Sequence, residues 1–103
     1  MAKDITKLFN QFAGQEVRVE EEYISMGSEG GDGVYLFPDR NDPTYKAMEK
    51  TAKDNGYQDF FLLGADWEGK ELPPYLKRNN VVCGYIEKVA EEKWRVKNTF
   101  VVG

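Results

Sequence analysis

Apolar positions near the start of the chain recur with the spacing of one helical face. Ile5, Leu8, Phe9, Phe12 and Ala13 fall at i, i+3, i+4, i+7 and i+8, which predicts a helix over 5–13. Asp4 is placed to cap its start, and Gly14 to take the left-handed position after its end. The period then changes to two. Val17 and Val19 alternate with Glu16, Arg18 and Glu20, and Tyr23 and Ile24 follow, so 16–24 reads as a strand. The glycine-rich stretch 27–33 reads as a flexible turn, and Val34 to Phe37 as a short strand returning as a hairpin partner.

Asp39 to Pro43 is a second turn, with Asp42 as an N-cap and Pro43 at the first helical position. The helix that follows runs to about Asn55 and ends at Gly56. It turns Tyr45, Met48 and Ala52 inward and Lys46, Lys50 and Lys53 to water. Tyr57 to Leu63 is the most apolar run. The lack of a polar face predicts a central strand covered on both sides. A loop of about 17 residues, Gly64 to Asn80, comes next; loops of that length in small domains are functional or mobile. The chain closes with one hairpin, Val81 to Val89 and Lys93 to Val102 around Ala90-Glu91-Glu92. Trp94, Val96, Phe100 and Val102 share one face of its second arm, and Arg95, Lys97 and Thr99 the other. The order α-β-β-α-β-loop-β-β predicts a single α+β domain over 1–103, with two helices packed on one mostly antiparallel sheet of about five strands.

Composition supports a folded core. Aromatic residues make up 14% of the 103 residues, far from the aromatic-poor composition of disordered chains. The single cysteine, Cys83, rules out an internal disulfide and fits a reducing compartment. No apolar run approaches the ~18 residues of a membrane span. The N-terminal residues lack the apolar stretch of a signal peptide, so the expectation is a cytoplasmic location or, as the alternative, a leader already removed. The absence of histidine excludes Ser-His-Asp and Cys-His catalysis and His-ligated metals, and one cysteine is too few for structural zinc or iron–sulfur sites. No cofactor and no metal are expected.

Four stretches have a chemical reading to weigh. The 27–33 loop lacks the Gly-Lys-Ser/Thr ending of a phosphate cradle and carries Glu29 and Asp32 instead, so it reads as a hairpin loop. Asp39 to Pro43 offers oxygens, but Thr44 and Lys50 stand where a calcium loop needs Gly and Glu, so a turn and cap account for it better. Glu20, Glu21 and Glu22 invite an acid–base pair. Strict alternation would split them, Glu20 and Glu22 on one face and Glu21 on the other, as on a solvated strand. Cys83, between Val82 and Gly84, reads as a small core residue.

Charge is unevenly distributed. Residues 1–69 carry a net −7 and residues 70–103 a net +3, within an overall −4. The basic C-terminal hairpin, with Lys88, Arg95 and Lys97, could meet phosphates, but the acidic chain opposes polyanions at long range. Glu16, Glu20, Glu21, Glu22, Glu29 and Asp32 could instead occupy a basic groove on a partner.

The long loop is the foremost candidate for function. Trp67, Leu72 and Tyr75 are suited to anchoring a partner, and Pro73-Pro74 stiffens the segment that carries them. The same three residues equally suit a second role, folding back to cap the core. The succession from the helix ending near Asn55, through strand Tyr57–Leu63 and the loop, to Tyr75-Leu76-Lys77-Arg78, Val81–Ile86 and the closing Val101-Val102-Gly103 resembles the small serine-protease inhibitors of the potato inhibitor I type and their bacterial relatives. The resemblance covers residues 45–103 and has no counterpart for 4–37. It implies a protease-binding segment at Ala65 to Leu72, braced from below by Arg78.

The resulting expectation is a small, soluble, non-catalytic binding module, inhibitor-like, that presents loop 64–78 through Trp67, Leu72, Tyr75 and Arg78. The alternative is an acidic decoy that blocks the basic groove of a nucleic-acid enzyme. A carboxylate enzyme, a third possibility, requires a cleft holding two acids of divergent pKa. The expected partner is a protein rather than nucleic acid or a membrane, with the chain itself a monomer or weak homodimer.

Overall fold

The computed structural model describes residues 5–25, 33–72, 76 and 80–103. Asp4, residues 27–32 of the glycine-rich turn, Pro73, Pro74, Tyr75 and Arg78 lie outside them, as do the side chains of Tyr23 and Ile24. The chain forms α1 (Ile5–Phe9), β1 (Glu16–Ser25), β2 (Gly33–Pro38), α2 (Pro43–Asp54), β3 (Asp59–Gly64), β4 (Val81–Ala90) and β5 (Lys93–Val102). This is the α+β architecture read from the sequence: two helices and one five-stranded mixed sheet.

The first helix is shorter than its apolar spacing predicts. After Phe9 the chain tightens into a 3-10 turn, Asn10–Phe12, and Gly14 leaves it with φ of 85°. Phe9 is fully buried, with ring centroids 5.8 Å from Phe60 and 5.1 Å from Phe100. The second helix follows its sequence signals closely. The Asp42 carboxylate accepts from the Thr44 and Tyr45 backbone N–H groups, Pro43 opens the helix, and Tyr45, Met48 and Ala52 are buried.

The strand order is β2-β1-β5-β4-β3. Neighbours pair antiparallel except β3 and β4, which run parallel, joined by the crossover 65–80. The expectation of a central β3 is corrected here. It stands at the end of the order, yet both its faces are covered, by the helices on one side and by the crossover on the other. Burial on both faces, not a central place in the ladder, accounts for its uninterrupted apolar sequence.

In a flat sheet, β2 and β3 would stand four strand spacings apart, about 19 Å. Instead they meet. Leu36 of β2 is buried with Phe60 and Leu62 of β3, and its Cδ1 lies 3.9 Å from where a Cβ on Gly64 would sit. The sheet is therefore coiled far enough to bring its two end strands together. Irregular pairing supplies part of the bend. From Val19 to Glu21, β1 advances two residues while β2 steps only from Pro38 to Phe37, which leaves Glu20 as an extra residue. On β5, Lys97, Asn98 and Thr99 together stand opposite the single Tyr85 of β4.

Two buried clusters result. The larger lies between the helices and the concave face, with Val17, Val19, Leu36, Val82, Ile86, Trp94, Val96 and Phe100 beneath Phe9, Phe12, Tyr45 and Met48. The smaller lies on the opposite face of β3 and β4 and comprises Leu63, Trp67, Leu76, Val81, Cys83 and Tyr85. Among the described residues no helix is long and apolar enough to cross a membrane.

Candidate functional site

The crossover is the first place to look, because the sequence puts aromatic and apolar side chains there. Gly64 leads into a 3-10 turn, Ala65–Trp67, and Gly69 redirects the chain with φ of 81°. Trp67 is 2% exposed and belongs to the smaller core cluster, so the expectation of a presented anchor does not match its position. Leu72 is half-buried against the same cluster, and Leu76 is fully buried in it. The physical reason is the uncovered outer face of β3 and β4. Leu63, Val81, Cys83 and Tyr85 point there, and the crossover's apolar side chains are the nearest available cover. Tyr75 and Arg78 lie outside the described residues.

Polar contacts strap this segment down. Glu68 accepts from Lys97 Nζ at 2.8 Å and from Thr99 Oγ1 at 3.1 Å, both on the irregular part of β5. The hydrogen bond from Lys97, followed by that from Thr99, holds the Glu68 carboxyl below its ordinary value, and the Glu68 contact raises Lys97. The cations singled out on the C-terminal hairpin are engaged in the same way. Arg95 pairs with Glu87 at 2.7 Å directly across the strands, and Lys88 has a partner as well. Lys88, Arg95 and Lys97 therefore do not form a free basic patch.

The carboxylates are arranged differently. The extra residue at Glu20 breaks the alternation expected along β1. Glu20 and Glu21 line one shallow groove together with Lys88 of β4 and with Glu91 and Glu92 from the β4–β5 turn. Glu91 and Glu92 also line a second groove, with Glu16, Arg18, Asp42 and Lys93. Arg18 pairs with Glu92 at 3.7 Å between exposed side chains, a contact of small energetic weight. Among the described residues Glu16, Glu20, Glu21 and Glu91 are exposed and make no ion pair. Glu20 also borders a third groove, of about 450 Å³, whose floor is Leu36, Phe37, Pro38, Phe61 and Leu62 across the meeting of β2 and β3. Phe37 is 55% exposed. Glu91 and Glu92 thus border the first and second of these depressions, and Glu20 the first and third.

A carboxyl is tuned upward by burial, and among the described residues no charged or polar side chain is buried. Cys83 is buried, and desolvation pushes its thiol up to about 11, the environment of an inert core thiol. No group of three His, Cys, Asp or Glu residues among the described residues could hold a metal ion.

Sequence reasoning identified Glu16, Glu20 and Glu21 as acidic surface but not their convergence with Glu91 and Glu92. Nor did it find the groove at Phe37 and Phe61, which depends on two strands distant in the ladder coming together. No family model, no curated protein and no solved structure matches the chain.

Proposed function

We propose that the chain is a non-catalytic binding module that covers a basic surface on a protein partner. One observation carries the reading: on the β-hairpin Arg95 and Lys97 are each paired with a glutamate, while Glu16, Glu20, Glu21 and Glu91 are exposed without ion-pair partners among the described residues. A run of unpaired carboxylates complements lysines and arginines, accelerates encounter with them and penalises acidic competitors. The groove of a nucleic-acid enzyme is one surface of this kind. There the carboxylates would take the place of phosphates. A reducing, cytoplasmic setting accords with the single cysteine being a buried free thiol.

The test uses a short oligolysine peptide as the basic probe, titrated calorimetrically. Binding is expected to weaken steeply between about 0.05 M and about 0.3 M salt, as exposed charges are screened. The double substitution Glu20→Gln/Glu21→Gln should abolish most of it, and Glu49→Gln/Asp54→Asn, equal in charge but on α2, should not. Equal losses in the two variants, or binding indifferent to salt, would overturn the reading.

A further inference from the structure

The groove between β2 and β3 adds a second kind of chemistry to the acidic run. Its lining is mixed, about as polar as apolar, and the apolar share includes Phe37, which leaves more than half its surface in water although it is one of the largest hydrophobic side chains in the chain. A volume of about 450 Å³ lies toward the small end of the ~300–1,000 Å³ typical of small-molecule sites, enough for one bulky side chain. Two carboxylates, Glu20 and Asp39, border it against one guanidinium, Arg40. Glu20 belongs at once to this groove and to the acidic run, so a ligand lying along the carboxylates reaches the groove's apolar residues without leaving the surface.

We propose that this groove seats a bulky apolar side chain of an extended partner segment whose neighbouring residues are lysines and arginines lying along Glu20, Glu21 and Glu91. The inference rests on the basic-partner reading and deepens it, by assigning the charges to attraction and register and the groove to affinity. Charge complementarity selects this occupant. A second copy of the chain would bring the same carboxylates against these, at a net charge of −4 each. A strand cannot be inserted at this place by pairing with both β2 and β3, because that needs a gap of about two strand spacings, ~9.6 Å, where the two strands are already packed together. The segment therefore lies over the seam and contributes a side chain to it.

The experiment compares the oligolysine peptide with the same peptide carrying one tryptophan, by calorimetry on the intact chain. The tryptophan peptide is expected to bind at least about tenfold tighter, the increment that follows from burying one large apolar side chain. Phe37→Ser should remove that increment and leave oligolysine binding unchanged, while Phe37→Leu should keep most of it. Because Phe37 is largely exposed, both variants are expected to fold, which their circular dichroism and melting curves verify. No tryptophan increment, or an increment that survives Phe37→Ser, overturns the groove assignment while oligolysine binding keeps the basic-partner reading. Tryptophan-peptide binding without any oligolysine binding does the reverse. Sedimentation showing a dimer that Phe37→Ser dissolves would give the groove to a second copy and also overturn the proposal.

Discussion

Glu68 and Lys97 are 29 positions apart in the chain, yet their side chains meet at 2.8 Å and pin the turn that buries Trp67. Thr99 donates to the same carboxylate, so one acidic residue holds two positions of β5. The Glu68 carboxyl is held below its ordinary value, so its contribution is present above that value and is lost as pH falls through the depressed one. Lys97 is raised. Its contribution is present below the ordinary ammonium value and is lost as pH rises through the raised one. The strap should therefore be firmest between these limits. Hydrogen exchange at the Glu68 and Lys70 amides, which close the turn, is expected to quicken in acid and in Glu68→Gln at neutral pH, with global stability changing little. Unchanged exchange in Glu68→Gln would show that packing alone holds the turn.

Trp67 tests whether the crossover is core. With 2% of its surface exposed, Trp67→Ala should cost about 3–5 kcal/mol in denaturant unfolding. Iodide should quench native tryptophan fluorescence poorly, since Trp94 is buried too. A loss below about 1 kcal/mol would mean that the side chain contributes little packing, as at ordinary surface sites.

Cys83 gives the fold an alkaline limit. Its thiol is pushed up to about 11 by burial, so the native state holds that proton more tightly than the unfolded chain does. The stabilisation is complete below the ordinary thiol value and declines as pH climbs through about 11. Burial also raises Tyr45 and Tyr85, which adds to the loss at high pH. Cys83→Ala should flatten the alkaline arm of a stability–pH profile. The native thiol should resist a disulfide reagent at neutral pH and react once the chain is unfolded.

Gly84 sits where β4 passes under an aromatic ring. A Cβ there would lie 2.9 Å from Phe100 Cε1 and 3.1 Å from Cδ1. Gly84→Ala is expected to destabilise by about 1–3 kcal/mol through overpacking. Phe100→Leu in the same chain should recover part of that loss, and chemical denaturation of the single and double variants measures the coupling.

Legibility in the sequence tracks how local each determinant is. Asp42, Pro43 and the Tyr45, Met48, Ala52 spacing lie within a dozen residues, and α2 forms as they predict. The β4–β5 hairpin is equally local, although Val102, read on the same face as Trp94, Val96 and Phe100, is 47% exposed at the strand's end while those three are buried. The place of β3 was not legible, because a covered end strand and a central strand have the same apolar pattern. Glu20 was misplaced for a different reason. One extra residue reverses every later position of a period-two pattern, and no glycine or proline marks this one. In the crossover, Trp67 and Leu72 fitted a binding anchor and a core plug alike. Only the apolar outer faces of Leu63, Cys83 and Tyr85, far away in the sequence, decide between the two.

The meeting of β2 with β3 has a consequence for how the molecule behaves in a crowded solution. Terminal strands ordinarily offer unsatisfied amide and carbonyl groups as templates on which further chains can polymerise. Here the two end strands come against one another without pairing, with Leu36 turned into the interior at the join. Addition of a further strand is thereby hindered at the place where Leu36 packs beside β3.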